Sequence, residues 1–410
     1  MHGGFLGPYG NTWIQTPEFD ALAAEGFVFD QAMIAHPRLD AVFDALWSVQ
    51  RTGGAGERGA CGQGVASLAA VLTDAGIATC LITDDTSVAG HPLAAGFAEC
   101  LLIPPVAHQV AARDIGETGL AQAFAAAADR LSAPRCPFLL WLHVRGMAAP
   151  WDAPSELRRQ YADPEDPPTP DFVDVPELRL ADDYDPDELL GIVHAYAGQL
   201  SLLDACLGVL RAALGESPAA ASTLFCVLGA RSFPLGEHGQ VGGRQAPLYS
   251  ELMQIPWLLR YPDGAGACER TSALVQQQDL PATLLTWWQS DPAGLTSAGP
   301  MPGSPMPDSY DALPLVHDDR LTVRDRVHVT AGPEEHVLRT PAWFLRATGP
   351  ADSPRLELFT KPSDRWDVNQ VADRAPDVAE QMAAALTACQ VAAQGEPLPP
   401  LDAKLLEPLD

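Results

Sequence analysis

Residues 138–144 read FLLWLHV, an apolar run with one polar position, closed by Pro137 on one side and Arg145-Gly146 on the other. A short, continuous apolar run bounded by turn residues is the pattern of a strand buried on both faces. Three further runs share it: 77–83 (IATCLIT), 224–228 (LFCVL) and 256–261 (PWLLRY). Between them lie helical patterns at 64–75, 116–131 and 186–214, with another at 279–288. Strands alternating with helices predict an α/β sandwich whose mixed, mostly parallel sheet is covered by helices on both faces.

This pattern fills residues 1–290. Residues 291–315 turn to Pro, Gly, Ser and Met, a composition that buries little and predicts a linker or surface loop. Beyond it, strand candidates at 335–339, 343–347 and 355–359 and a helix at 376–393 predict a small C-terminal α+β subdomain over 316–410.

The 410 residues carry 53 Asp and Glu against 25 Lys and Arg, a formal net charge of −28, with no basic cluster. A surface of that sign repels nucleic acid and anionic membranes, so neither is expected as a partner. With 47% hydrophobic residues the chain can bury a large core. The start, MHGGFLGPYGN, has neither a basic segment nor an apolar one, and no continuous apolar run approaches the roughly 18 residues of a membrane span. The eight cysteines are scattered without a close-spaced pair, which reads as small buried hydrophobes in a reducing compartment. A cytoplasmic location is the expectation.

Several segments, in order along nearly the whole chain, resemble the sulfatase family of the alkaline-phosphatase superfamily. They are 6–11 (LGPYGN), Thr16-Pro17, 22–29 (LAAEGFVF), 138–154 (FLLWLHVRGMAAPWDAP), 235–239 (LGEHG), 248–262 (LYSELMQIPWLLRYP), 274–285 (LVQQQDLPATLL), 339–343 (RTPAW) and 358–371 (LFTKPSDRWDVNQV). The resemblance implies an alkaline-phosphatase-like fold and cleavage of a sulfate or phosphate ester. It also implies a Cys, Ser or Thr nucleophile at a helix N-terminus in "C/S-x-P-x-R". A divalent cation on hard oxygen ligands and a His in "P-H-x-P" complete the set.

The corresponding positions here are inert. With Ala45-Leu46 as anchor, Leu39 stands at the nucleophile and Phe43 at the Arg of the motif. The two cation ligands of "S-D-H-G" fall on Ala230 and Arg231, and the His of "P-H-x-P" on Ala148. The family's first strand, which carries an Asp pair, has no counterpart, because Met1 falls about where that strand should end. Such a strand lies centrally, so its two neighbours are expected to present unpaired backbone groups unless the true start lies upstream or another segment fills the gap.

Four cationic or titratable residues remain near the same place: His238, Arg244, His143 and Arg145. Strand carboxyl ends are where parallel sheets bind ligands, so these could line an anion pocket; otherwise His143 packs in the core and Arg145 pairs with a carboxylate. Asp84, Asp85 and His91 follow the run 77–83 and could hold a replacement metal, or could form a polar turn that caps the next segment. The expected function is a catalytically inactive, sulfatase-like binding or scaffold protein for an anionic small molecule or a protein partner, with no cofactor. The alternative is a hydrolase of sulfate or phosphate esters with an atypical site, which would carry Ca²⁺ or Mg²⁺.

Overall fold

A computed structural model of the chain describes residues 1–51, 65–106, 110–243, 246–289, 303–304, 306, 308–318, 320–392 and 397–407. Helix α1 (Pro17–Glu25) starts with Pro at its first turn, where the missing N–H costs nothing. Its exposed amides are satisfied from far along the chain: the buried Asp204 carboxylate accepts from Glu18 N at 3.1 Å and Phe19 N at 3.0 Å. Strand β1 (Phe27–Met33) and helices α2 (Leu39–Trp47) and α3 (Leu68–Asp74) follow. Next come β2 (Ala78–Thr83), β3 (Glu99–Leu102), α4 (Gly119–Ser132) and β4 (Phe138–His143). Helix α5 (Pro186–Glu216) is capped by Asp185, whose carboxylate accepts from Asp187 N at 2.9 Å. Strands β5 (Phe225–Leu228), β6 (Trp257–Arg260) and β7 (Glu269–Gln276) and helix α6 (Asp279–Gln289) complete this part.

The β layer is mixed. One sheet has the order β7-β1-β6-β5, with β1 parallel to β7 and both remaining pairs antiparallel. The other, β3-β2-β4, is wholly parallel, in a register that places Thr83 beside His143. Among the described residues the predicted sheet is therefore interrupted between β4 and β5. Helices cover both faces, as alternation requires. On one side Phe43, Leu46 and Trp47 of α2 pack with Leu280, Leu284 and Leu285 of α6; on the other, Ala195, Tyr196 and Leu200 of α5 pack with Leu120 and Phe124 of α4.

Helix α5 is long and apolar enough to cross a membrane, although its apolar residues form no single unbroken run. Most of its apolar window is buried inside the protein, with Ala195, Tyr196, Ala197 and Leu200 fully enclosed. Strands β8 (Val327–Gly332), β9 (Glu335–Arg339), β10 (Trp343–Thr348) and β11 (Arg355–Thr360) form an antiparallel meander in chain order. Helix α7 (Pro376–Val391) lays Met382 and Leu386 on Leu338, Leu345 and Leu358. Of the expected linker, residues 291–302, 305 and 307 lie outside the described residues, but its last part is no surface loop: Ala312, Leu313 and Leu315 are buried in the main core.

Seven cysteines are free thiols, and Cys61 lies outside the described residues. Only Cys206 among the seven is buried. Cys100, Cys136 and Cys268 are exposed, so the expectation of buried hydrophobes fails for these three. Cys100 lies on the outer strand β3, and Cys136 stands just ahead of β4.

Candidate functional site

Leu39 is the first residue of α2, so the position aligned with a nucleophile does stand at a helix N-terminus. Phe43, one turn on, is buried; its ring lies 4.4 Å from that of Trp47 and meets His143 edge-on at 4.9 Å. His143 ends β4, and Ala148 closes the short turn Gly146–Ala148 that follows. Ala230 and Arg231 lie just past the end of β5. Their strap is held by Gln277, whose side-chain amide donates to the carbonyls of Gly229 and Ala230, both at 2.8 Å, and whose oxygen accepts from Ala35 N at 2.9 Å. Gln277 was not singled out in the sequence, because a Gln among three consecutive Gln residues carries no spacing signal.

Leu39, Phe43, Ala148, Ala230 and Arg231 all line one cavity of about 1320 Å³, together with His143 and Arg145. Among the described residues His143 Nε2 has no hydrogen-bond partner, and burial pushes the His143 pKa down to about 4 against the pull of Asp85 and Asp84. Arg145 donates its main-chain N–H to Asp84 Oδ1 at 2.8 Å, and its guanidinium lies 3.4 Å from Oδ2. The Met1 amino group, which also lines the cavity, donates to the Arg231 carbonyl at 2.5 Å.

His238 stands apart from this lining. It occupies a left-handed conformation (φ 48°) and stacks on Tyr249, ring centres 3.6 Å apart. Its Nδ1 lies 2.8 Å from Glu251 and its Nε2 3.0 Å from the Asp367 carbonyl. Burial opposes its charge, but Glu251 and the Asp367 carbonyl outweigh that and raise its pKa. Arg244 lies outside the described residues. Of the four residues considered for an anion pocket, the structure thus brings His143 and Arg145 to the cavity.

The acidic turn has structural work. Asp85 caps the helical turn Thr86–Ala89, accepting from Ser87 N at 2.8 Å and Ser87 Oγ at 2.6 Å. Burial pushes this carboxyl up, but the two Ser87 donors prevail and hold it below its usual range. His91 accepts from Leu93 N at 3.2 Å and faces Asp44 at 3.5 Å. Among the described residues, no three His, Cys, Asp or Glu side chains are grouped so as to hold a metal ion.

The divalent cation implied by the resemblance does not fit the residues present. The Ala230 side chain offers no donor atom, and Arg231 brings a positive charge where hard carboxylate oxygens are required. Asp84 is therefore expected to act in stability alone. Asp84→Ala leaves the Arg145 amide without its acceptor and should cost about 1–3 kcal/mol, read as a lower urea midpoint at unchanged slope. Added Ca²⁺ or Mg²⁺ should leave the midpoint of the unmodified protein where it was.

A family model described as Sulfatase matches residues 1–290. No curated protein matches the chain. Among solved structures, BT4656, determined in complex with its substrate D-glucosamine-2-N,6-O-disulfate, is similar at 15% identity and TM-score 0.71, covering 95% of each chain. The phosphonate monoester hydrolase of Agrobacterium radiobacter is similar at 16% identity and TM-score 0.70, covering 95% of this chain and 93% of its own. BT1596, a 2-O GAG sulfatase, is similar at 14% identity and TM-score 0.67, covering 94% and 89%. The structural likenesses give the fold alone; with the family match over residues 1–290, this chain belongs to the sulfatase family.

Proposed function

We propose that this member of the family does not cleave esters and serves as a binding or scaffold protein. The observation that carries the reading is the convergence of Leu39, Phe43, Ala148 and Ala230 on one cavity. Displacement at sulfur or phosphorus needs an attacking atom and a means of drawing charge from the nonbridging oxygens. Hydrocarbon side chains supply neither. What the same cavity does offer is positive charge: Arg145 and Arg231 line it. An anionic small molecule, or an acidic segment of a partner protein, is the ligand class this charge supports. A disulfated glucosamine, the substrate of one structural neighbour, is the first anion to titrate.

The test is turnover of chromogenic sulfate and phosphate esters by the purified chain with Ca²⁺ or Mg²⁺. The expected result is a rate equal to the protein-free blank under every metal. Metal-dependent turnover that disappears in His143→Ala or Arg145→Ala would overturn the reading in favour of an atypical hydrolase.

A further inference from the structure

Two histidines meet on the first hairpin of the C-terminal meander, away from the cavity. Strand β8 pairs antiparallel with β9 in a register that sets Thr330 opposite His336 and His328 opposite Leu338. Opposed residues share a face, and so do alternate residues along a strand, so these four side chains lie on one side of the sheet. Leu338 shows which side, because it packs with Met382 and Leu386 of α7. A bulge between Thr330 and Gly332 holds the register. Thr330 Oγ1 secures it, accepting from Gly332 N at 3.1 Å and donating to the Gly332 carbonyl at 2.7 Å. His328 and His336 are therefore diagonal neighbours. Their rings lie nearly parallel, at 24°, with centres 5.8 Å apart.

The nitrogens have the character of metal ligands. His336 Nε2 lies 3.2 Å from the Pro333 carbonyl, which accepts its N–H and leaves the lone pair on Nδ1. Metal-bound histidines carry the same second contact, which fixes their tautomer and ring angle. Among the described residues, His336 Nδ1 and His328 Nε2 are both enclosed and have no hydrogen-bond partner. Enclosed polar atoms in that state are rare and call for a partner. Burial and the neighbouring His336 push the His328 pKa down to about 4, so near neutral pH this ring is in the uncharged form that binds metal. The spacing is also suitable. Metal–nitrogen bonds of about 2.0–2.1 Å, meeting at a tetrahedral angle, would set two ring centres about 5 Å apart. The rings here need to close by only a fraction of an ångström, which small side-chain rotations supply.

We propose that His328 and His336 form a two-imidazole site for one transition-metal ion of the Ni²⁺, Cu²⁺ or Zn²⁺ kind, bridging the edge strand β8 to β9. Imidazole selects such ions over Ca²⁺ and Mg²⁺, and water would fill the remaining coordination positions. The bound ion would fasten the hairpin that forms the outer edge of the meander. The site stands on residues outside the cavity, so it does not depend on whether the cavity cleaves esters or binds an anion.

The experiment is equilibrium dialysis of the untagged full chain against NiCl₂, with excess CaCl₂ as competitor, followed by amide exchange. Ni²⁺ should bind and resist displacement by Ca²⁺. His328→Phe and His336→Gln should each weaken this binding at least about tenfold, since even the loss of a group that only orients a ligand costs that much. Ni²⁺ should also slow amide exchange in β8 and β9 of the unmodified chain. No binding at about 1 mM Ni²⁺, displacement by Ca²⁺, or undiminished binding in either variant would overturn the proposal. Should a variant not fold, exchange in the unmodified chain decides: slowing in β8 and β9 supports the site, and slowing only elsewhere, or none, overturns it.

Discussion

Replacing Asp367 by Ala should lower stability by about 3–5 kcal/mol, the cost of stranding a buried charge whose partner is removed. The stranded charge is Lys361, whose Nζ approaches Asp367 Oδ1 to 2.6 Å with both side chains enclosed. The ammonium also donates to Ser250 Oγ at 3.1 Å and to the carbonyls of Asp364 and Arg365 at 2.5 and 3.0 Å. Burial pushes the Lys361 pKa down, and Asp367 is the opposing charge that keeps the ammonium tenable. The other Asp367 oxygen accepts from Ser250 N at 2.6 Å, and its carbonyl faces His238. Asp367 thus ties the loop after the C-terminal meander to Ser250 through its carboxylate and to His238 through its main-chain carbonyl. Urea unfolding checks the size of the loss. The double variant Lys361→Met/Asp367→Ala should be more stable than Asp367→Ala alone, because it removes the stranded charge. A loss under about 1 kcal/mol in the single variant would mean that water reaches the ammonium.

The sequence displays this fold where burial is two-sided and hides it where burial is one-sided. Residues 138–143 form β4 because six successive side chains meet helices above and below, which writes an unbroken apolar run. Strand β7 reads ERTSALVQ: Glu269, Arg270 and Ser272 are exposed while Thr271 and the last four residues are buried, so it writes no long unbroken apolar run. Strand β1 hides for another reason. Asp30 and Gln31 interrupt FVF just where its register with β7 shifts, and a shifted register lets polar side chains reach the surface. At the site, motif order alone placed Leu39 at a helix start and Ala230 past a strand end, since both depend on local spacing. The seat of His238 did not follow from order. It depends on a left-handed backbone and on Tyr249 and Glu251, which a turn of the chain brings beneath the ring.

Acidification should unfold the unmodified protein more readily than His143→Phe, by about 3 kcal/mol between pH 7 and pH 4. The sign follows from where the proton binds. His143 titrates at about 4 when folded and at its ordinary 6.5 when unfolded. Above pH 6.5 neither state holds the proton, and the residue contributes no pH dependence. Between 6.5 and 4 the unfolded chain takes up a proton that the folded chain refuses, so stability falls as pH falls, and the loss levels off below 4. The refusal comes first from burial against Phe43, helped by the positive charge of Arg231 and Arg145 and opposed by Asp85 and Asp84. Two buried carboxyls work the other way in the same window. Burial raises Asp204 and Asp279 to about 6, so each takes its proton earlier in the folded state and gains stability on acidification. The total profile mixes these terms, and only the difference between the two proteins isolates the imidazole. Phe is close to His in size and can keep the edge-on packing, so the two proteins should agree in urea midpoint near pH 7 and part below pH 6. Parallel profiles from pH 7 to 4 would mean that water solvates His143 and that the cavity mouth, as drawn by Leu39, Phe43 and Ala230, is open to solvent at its base.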